Sequence, residues 1–511
     1  MKTSSNKSLV KAVALITFFS VMTRALSFFY KIILSRMIST EMLGAYSLGM
    51  SVYTVLTTCI NSGIPLSVSK ATASNYVGDN RRNIGSAVSS ALLLSLSMVS
   101  LMCIAVFAGK PLLISMFGNS DSYFILALLI PTIISTAVYT PFRGYLWGKE
   151  EYFKVGLVEF IEQTLRLTLL VVGCFAFTNT NELFPAGLSY AIAGISTTIL
   201  GICFFFKEKG NLAHPKYQFK GVFKTSAPIT GVRIATSILQ PLISIIVPMR
   251  LVAIGFSQEQ ALSEIGITMG MTFPLLTIPS TLIGALAMVL IPKLTSLVNT
   301  HSSSSAIRNQ LNSAIMFTIC CSFISIPVFI VLGTPACEFV YANSLAGKYL
   351  AMGSWLVLPM CISMICSSAL NSLGQEMSSF KYNIFASIIT LILAWFLPKH
   401  FGVFTILLVS GISMTIVSIL SLRKINKLTH IGHKYITKTI ILALITLPVT
   451  LLTKYTYNLC AVVFPSLMAM FLAGIISIIS FALLMACFKI IDISYLKDTF
   501  SKRKVKKQSI K

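Results

Sequence analysis

Residues 10–35 read VKAVALITFFSVMTRALSFFYKIILS, a run that is apolar apart from its hydroxyl side chains and three cations. A helix needs about 20 mostly apolar residues to cross the hydrocarbon core of a bilayer, and this run is long enough. We find fourteen such runs between residues 10 and 488. Of the 511 residues, 55% are hydrophobic and 11% are charged, whereas a soluble protein has about 25% charged residues. The sequence therefore predicts an all-α polytopic membrane protein with about 14 transmembrane helices.

The connections between these runs are too short to hold a soluble catalytic domain. No G-x-x-x-x-G-K phosphate loop occurs in the sequence, which excludes a fused P-loop ATPase. The 11 cysteines are scattered and form no C-x-x-C pair, so we expect neither a disulfide framework nor a metal site. His430 and His433 lie in a basic connection without a neighbouring Cys or acid, and they make a poor metal site. We expect a protein that is not an enzyme and uses no cofactor.

The 40 Lys and Arg residues are distributed unequally about the predicted spans. If the N-terminus is cytoplasmic, 30 of them fall on the cytoplasmic side, 7 on the other side and three within spans. Cytoplasmic connections of membrane proteins carry an excess of Lys and Arg, so the split predicts that both termini are cytoplasmic. We expect the basic tail to contact anionic membrane lipids. We expect no nucleic-acid partner, because nothing else in the chain resembles a recognition module.

Polar residues in the first run recur at a helical spacing. They are 3, 4, 3 and 4 positions apart and share one helix face: Thr17, Ser20, Arg24, Ser27 and Lys31. The seventh run, 226–249, repeats this spacing 213 residues later with Thr230, Arg233, Ser237, Gln240 and Ser244. The second half of the chain thus resembles a duplicate of the first, the usual plan of a secondary transporter that works by alternating access. The alternative is one bundle whose halves are similar by chance.

Basic segments divide the predicted spans into parts. We expect two pseudo-symmetric six-helix lobes around a central cavity, followed by two further helices. The boundaries are 1–206 for the N-lobe, 207–225 for a basic cytoplasmic linker, 226–421 for the C-lobe, 422–436 for a basic cytoplasmic joint, 437–488 for helices 13 and 14, and 489–511 for the basic cytoplasmic tail.

Three arginines remain within the predicted spans. A charge in mid-membrane costs about 2.5 to 3.5 kcal/mol on insertion scales, so it normally faces a bundle interior or a wet cavity. We expect Arg24 and Arg233 to face one cavity, with Arg166 nearby and Lys31 on its wall. The alternative for Arg24 and Lys31 is that they extend to the membrane surface or pair with a neighbouring acid. A guanidinium pairs well with phosphate oxygens, which favours an anionic substrate. The predicted substrate-binding residues are Arg24, Ser27, Lys31, Arg166, Arg233, Ser237 and Gln240.

The fifth span carries a second polar stripe, with Glu159, Glu162, Gln163 and Arg166 at helical spacings. Glu162 and Arg166 are four positions apart in the order that favours an ion pair. They form either a structural pair or a site for substrate or a coupling ion. Glu159 has no opposite charge three or four positions away within the span. Both acids are candidates for the coupling-ion site, and Glu159 is the better one.

Several motifs resemble a known family. They are Arg36-Met-Ile-Ser-Thr-Glu-Met-Leu-Gly-Ala-Tyr-Ser47, Ser62-Gly-Ile-Pro65 followed by Ser69-Lys70, Phe142-Arg-Gly-Tyr145 with Gly148, and Glu162-Gln163 followed by Arg166. Together they resemble the polysaccharide-transporter, or oligosaccharide-flippase, branch of the MOP exporter superfamily. Within it the likeness is to the stage V sporulation protein B group and, more distantly, to MurJ-type lipid II flippases.

This resemblance implies a MATE-like fold and a role in polysaccharide or peptidoglycan synthesis for the cell wall, including sporulation. The implied substrate is an undecaprenyl-pyrophosphate-linked saccharide, or a lipid II-like precursor, exported across the bacterial cytoplasmic membrane. Cell-wall synthesis proteins are the implied protein partners. Arg24 matches a functional first-helix arginine of MurJ-type proteins, whereas their second arginine corresponds to Tyr30 or Lys31, and Gln240 lies where related exporters often have an acid.

Two other functions are alternatives to the flippase. A proton- or sodium-coupled multidrug or metabolite antiporter of the same superfamily would need acids in its cavity, and in the stripes only the fifth span supplies them. A membrane-embedded polymerase or ligase of lipid-linked sugars would need clustered catalytic residues on the external side, and those connections are short. The sequence favours the flippase.

Overall fold

The computed structural model describes residues 2–76, 80–299, 304–432 and 434–488, and it contains helices and no strands in that part of the chain. The α-helices in chain order are α1 Lys2–Met37, α2 Thr40–Asn61, α3 Ile64–Tyr76, α4 Arg81–Ala108, α5 Lys110–Phe117, α6 Ser120–Leu128, α7 Ile130–Gly148, α8 Tyr152–Ala176, α9 Phe184–Lys207, α10 Phe219–Ser237, α11 Leu239–Ala253, α12 Gln258–Ile265, α13 Phe273–Leu276, α14 Ile278–Asn299, α15 Ser304–Tyr341, α16 Ser344–Gly353, α17 Val357–Ser372, α18 Glu376–Phe396, α19 Pro398–Phe401, α20 Thr405–Thr429, α21 Lys434–Val463 and α22 Ser466–Cys487. A π-helical segment, Gly266–Thr272, joins α12 to α13.

The number of candidate spans is close to the number predicted. Twelve helical segments of the described chain are long and apolar enough to cross a membrane, or thirteen if the pair Gln258–Leu276 and Ile278–Ala287, bent by 48°, is one span. The helix α8 is also long enough at 25 residues, but it carries Glu159, Glu162 and Arg166. The twelve or thirteen candidates leave α8 out, and the predicted count of fourteen is reached only if both the bent pair and α8 are counted as spans.

Capping residues explain where two of the helices begin. The first N–H groups of a helix lack partners within it, and a side-chain oxygen at the N-cap supplies one. Ser39 caps α2 by accepting from the backbone N–H of Met42 at 3.3 Å. Ser257 and Gln260 form a reciprocal capping box that begins α12. These two helices then meet in the first of two compact units.

Packing divides the chain into two units. One consists of Met1–Pro274 with Asn383–Val409, and the other of Leu275–Tyr382 with Ser410–Lys511. The first unit holds α1–α12, which include all the polar stripes discussed above. The division into six-helix lobes related by pseudo-symmetry stays a prediction.

Small residues also allow close packing within the second unit. A Cβ at Gly347 in α16 would lie 2.3 Å from the Cα of Thr334 in α15. A Cβ at Gly411 in α20 would lie 2.0 Å from the Trp355 ring. Ser418 Oγ donates to the carbonyl of Pro359 at 2.9 Å, which joins α20 to α17. Helices of this unit thus approach one another where glycine or serine replaces a larger side chain, as is common between membrane helices.

Two close approaches of backbone to backbone hold α2 within the first unit. A Cβ at Gly44 would lie 1.9 Å from the carbonyl oxygen of Leu262 in α12. A Cβ at Gly63, just after α2, would lie 2.2 Å from the carbonyl oxygen of Ser226 in α10. The N–H of Gly63 donates to Thr230 Oγ1 at 3.2 Å. Glycine is therefore required at both ends of α2, because any side chain would collide with backbone atoms that cannot move aside.

The predicted basic linker, 207–225, is shorter in the structure because α10 begins at Phe219. The connection from 208 to 218 is docked on neighbouring helices. Glu208 pairs with Lys149 at 2.9 Å and with Lys154. Hydrogen bonds from Lys154 and Lys149 hold the pKa of the Glu208 carboxyl below its usual range.

The other end of this connection lies against α4. Ser86 Oγ donates to the carbonyl of His214 at 2.8 Å. The guanidinium of Arg82 stacks over the ring of Tyr217 at 4.3 Å from its centroid. The connection is thus held at both ends by side chains of the first unit. The predicted joint at 422–436 is also largely helical, since α20 runs to Thr429 and α21 begins at Lys434.

Replacing Gly44 by Ala should lower the thermal unfolding midpoint of the purified chain in detergent. Overpacking of this kind costs about 1 to 3 kcal/mol. Gly231→Ala is the matched control, because Gly231 lies in α10 and a Cβ there would meet nothing within 4 Å. The control should leave the midpoint unchanged or raise it, and an unchanged midpoint for Gly44→Ala would contradict the close approach.

Docking of residues 208–218 should depend on pH through Glu208. The pKa of the Glu208 carboxyl is lower in the folded chain than in the unfolded chain. Its contribution to the stability of docking is therefore fully present above the unfolded pKa of about 4.3. It is lost as the pH falls through the folded pKa. Hydrogen exchange of these amides, corrected for intrinsic rates, should show this loss, and Glu208→Gln should show weak protection already at pH 7. Glu150→Gln, an exposed neighbour, should behave as wild type; equal protection in both variants would refute the role of Glu208.

Candidate functional site

The polar stripes of α1 and α8 face each other. The ring of Phe19 packs edge-on against that of Phe153, with centroids 5.7 Å apart, and this contact sets the two helices side by side. Two turns further along α1, Ser27 Oγ donates to Gln163 Oε1 at 3.1 Å. The C-terminal part of the α1 stripe therefore continues into the α8 stripe.

A cavity of about 330 Å³, which we call the first cavity, lies where these stripes meet α2 and α9. Its walls are lined by residues of the first unit. The polar lining residues are Ser27, Tyr30, Lys31, Tyr46, Ser47, Ser51, Thr54, Gln163, Arg166, Tyr190 and Ser244. Among the described residues that line it, two are cations and none is acidic.

Arg166 is the buried cation of the first cavity, with 9% of its surface exposed. Its Nη2 pairs with Glu162 Oε1, and its guanidinium stacks 3.9 Å from the centroid of the Tyr190 ring. Its Nε has no hydrogen-bond partner among the described residues. The structural ion pair predicted as one alternative is therefore present, and the unpaired Nε is itself buried.

Four tyrosines surround this guanidinium. The Tyr190 ring packs edge-on against Tyr30 at 5.6 Å and against Tyr53 at 5.9 Å between centroids. Tyr190 and Tyr46 bring their hydroxyls within 3.2 Å. Rings held by neighbours on several sides lose little further freedom when a ligand binds. The cluster gives the cavity a rigid wall that presents both aromatic faces and hydroxyls.

Lys31 is the second cation of the first cavity, and its side chain is exposed. No acid of the described chain lies within ion-pair distance of it. Since Glu162 already neutralises Arg166, Lys31 supplies the net positive charge of the cavity. Of the alternatives for Lys31, the one that agrees with its position is the cavity wall.

Glu159 has a partner that the sequence did not reveal. Arg143, on α7, approaches Glu159 Oε1 with its Nη1 at 3.4 Å. The same guanidinium stacks 4.7 Å from the centroid of the Trp147 ring. Spacing along a single helix cannot reveal this pair, because the two residues lie on neighbouring helices.

A second cavity, of about 390 Å³, lies further along α2. It is lined by Thr58, Asn61, Ser62, Pro65, Leu66, Trp147, Ile229, Arg233 and Ser237, all in the first unit. Arg233 and Ser237 are therefore in this second cavity. The exposed side chain of Arg24 lies on the wall of neither cavity, one helical turn from Ser27. The side chain of Gln240 is outside the described residues.

The expectation that Arg24 and Arg233 line one cavity is thus wrong for this structure. One reason is distance along the second stripe, because Arg233 and Ser244 are eleven residues apart, which is about 16 Å along a helix axis. The helix α10 ends at Ser237 and α11 begins at Leu239, and Ile238 between them keeps right-handed helical backbone angles, so the stripe runs on from one cavity to the other. Ser237 lines the second cavity, whereas Ser244 lines the first.

Sequence reasoning also missed part of the wall. The face of α2 carries Ser47, Ser51, Thr54, Thr58 and Asn61 at spacings of 4, 3, 4 and 3, the same signal that α1 shows. The π-helical segment Gly266–Thr272 supplies further wall residues. Such segments are frequent at functional sites, but no residue pattern predicts them. The described residues contain no group of three or more His, Cys, Asp or Glu that could hold a metal ion.

Comparison with known proteins adds relatives to this geometry. Stage V sporulation protein B of Bacillus subtilis (strain 168) is 22% identical over 365 residues, which cover 68% of this chain and 69% of the relative. A family model described as polysaccharide biosynthesis protein matches residues 9–298.

Two solved structures share the fold. Lipid II flippase MurJ in an inward closed conformation superposes with a TM-score of 0.71 at 16% identity, over 93% of this chain and 99% of that one. An inward-facing multidrug resistance MATE family transporter of the MOP superfamily superposes with a TM-score of 0.68 at 13% identity, over 83% of this chain and 99% of that one. These likenesses confirm the predicted MATE-like fold. Because the family model spans more than half of the sequence, the chain belongs to the polysaccharide biosynthesis protein family.

Proposed function

We propose that the chain is a flippase that moves an undecaprenyl-pyrophosphate-linked saccharide from the inner to the outer leaflet by alternating access. The observation that carries this proposal is the polarity of the first cavity, whose described wall residues include two cations and no acid. A site of this charge suits phosphate oxygens. Its volume is within the range of small-molecule sites, about 300 to 1,000 Å³.

The wall residues suggest a role for each part of the headgroup. Lys31 binds phosphate oxygens, next to the ion-paired guanidinium of Arg166 in the same wall. The tyrosine cluster and the hydroxyls of α1 and α2 contact the sugar, whose ring has apolar faces and hydroxyl edges. Arg24, one turn before Ser27, guides the headgroup along the α1 stripe. The lipid tail remains in the bilayer throughout.

The names of the similar proteins support the same substrate class. MurJ is named as a lipid II flippase, and the family is described by polysaccharide biosynthesis. On this proposal the chain lies in the bacterial cytoplasmic membrane with both termini in the cytoplasm, as the Lys and Arg distribution predicts. A negative-inside potential then favours outward movement of an anion, by up to about 2.3 kcal/mol per charge per 100 mV.

A proton- or sodium-coupled multidrug or metabolite antiporter is the alternative. It is suggested by Glu159 and Glu162 and by the multidrug name of the MATE neighbour. Both acids are ion-paired in the structure, with Arg143 and Arg166. Neither lines the first cavity. A cationic drug would meet Lys31 without a compensating acid, which favours the flippase.

Replacing Lys31 or Arg24 by Gln should reduce export of lipid-linked saccharide while the protein still inserts. Loss of one charged hydrogen bond costs about 1.5 to 3 kcal/mol, or roughly 10- to 100-fold in binding. Export is measured in spheroplasts with an impermeant enzyme that labels outward-facing headgroups. Lys110→Gln is the control, because Lys110 packs on Tyr123 and lines neither cavity. Unchanged export in both variants would overturn the proposed function.

Overexpression of the chain should give no resistance to lipophilic cationic drugs, and Glu159→Gln should leave drug sensitivity unchanged. The reason is that Glu159 is engaged by Arg143 away from the cavity wall. Growth across a drug concentration series measures this. Resistance that Glu159→Gln abolishes would instead establish the antiporter.

A further inference from the structure

The polar face of α2 passes through both cavities of the first unit. Ser47, Ser51 and Thr54 line the first cavity, and Thr58 and Asn61 line the second. Helical residues rise 1.5 Å each, so Thr54 and Thr58 are about 6 Å apart along the helix axis. One continuous row of hydroxyl and amide groups, which we call the α2 stripe, therefore joins the two cavities.

The second cavity has the chemistry of an anion site in its own right. Arg233 is exposed, and its guanidinium has no hydrogen-bond or ion-pair partner in the described chain. None of the described residues that line this cavity is acidic. Asn61, beside it, is held by Thr140, whose Oγ1 donates to Asn61 Oδ1 at 2.7 Å. A free guanidinium next to fixed amide and hydroxyl groups suits the oxygens of a diphosphate.

We propose that the second cavity is a separate binding site for the substrate's diphosphate, connected to the first cavity by the α2 stripe. This inference rests on the proposed function and adds a second substrate-binding site to it. With a cytoplasmic N-terminus, α2 runs from the outer side at Thr40 to the cytoplasmic side at Asn61. The second cavity is then the loading site and the first cavity the later one.

Two sites of moderate strength serve transport better than one strong site. A translocated group must bind well enough to enter and weakly enough to leave, and adjacent sites satisfy both needs. The cations are divided accordingly, with Arg233 in the second cavity and Lys31 and Arg166 in the first. The two groups lie on different helices, with Arg233 on α10 and with Lys31 and Arg166 on α1 and α8.

Trp147 provides a reporter within the second cavity. The chain has 3 Trp residues, so the double variant Trp355→Phe and Trp395→Phe leaves Trp147 as the sole indole. Fluorescence of this full-length variant in nanodiscs is titrated with inorganic pyrophosphate and, separately, with undecaprenyl diphosphate placed in the bilayer. Both probes should give a saturable change. A response to the lipid probe alone also supports the site and assigns it to the lipid-linked form.

Charge variants test which residue binds the probe. Arg233→Gln should weaken the titration about 10-fold or more, because it removes the one cation among the described residues of that wall. Lys224→Gln, an exposed lysine on the same helix, should have no effect beyond about 2-fold. Lys31→Gln should also leave the Trp147 titration unchanged, since Lys31 lines the other cavity.

Three results would overturn the second site. The first is that Trp147 fluorescence shows no saturable change, and the second is that Arg233→Gln leaves the change intact. The third is that Lys31→Gln weakens the titration as much as Arg233→Gln does, which would mean that there is one site only. A response to inorganic pyrophosphate without one to the lipid would overturn its assignment to the substrate.

The failure of the second site can be told apart from the failure of the proposed function. If Trp147 fails to respond while export depends on Lys31, the second site fails and the proposed function stands. If Trp147 responds as expected while export ignores Lys31 and Arg24, the proposed function fails and the anion site stands.

Discussion

A charge buried among apolar side chains must be paired, and the pair formed by Glu162 and Arg166 meets this requirement in the first unit. The requirement is strict because removing one partner of a buried pair is strongly destabilising. The pair holds Arg166 in the wall of the first cavity, where its guanidinium stacks on Tyr190. The tyrosines of α1, α2 and α9 then pack around this fixed guanidinium. The polar wall of the first cavity thus depends on one ion pair within α8.

The helix α2 is the second organising element. It carries residues of both cavities on one face, and Gly44 and Gly63 bring its two ends into backbone contact with α12 and α10. Any motion that separates α2 from α12 or from α10 must open one of these two backbone contacts. Because the same helix borders both cavities, such a motion would change the two sites together. This links the packing of the first unit to the alternating access that the proposed function requires.

Sequence reasoning predicted those features that depend on one helix at a time. Apolar run length predicts the spans, and helical spacing predicts the faces of α1 and α8, which the bond between Ser27 and Gln163 brings together. It did not predict features that depend on which helices contact one another. Arg143 reaches Glu159 from another helix, and the tyrosines come from three separate helices. The division of the stripe from Thr230 to Ser244 between two cavities was also missed, since polar spacing does not show where along a helix each cavity lies.

The central claim is that the first cavity holds the headgroup of a lipid-linked sugar diphosphate. Native mass spectrometry of the full-length chain, extracted in lipid nanodiscs and compared with bulk membrane lipid, tests it most directly because it identifies carrier and headgroup together. The account predicts enrichment of a polyprenyl-diphosphate-linked saccharide at up to about one copy per chain. Recovery of membrane phospholipids alone, or of a cationic amphiphile, would contradict it.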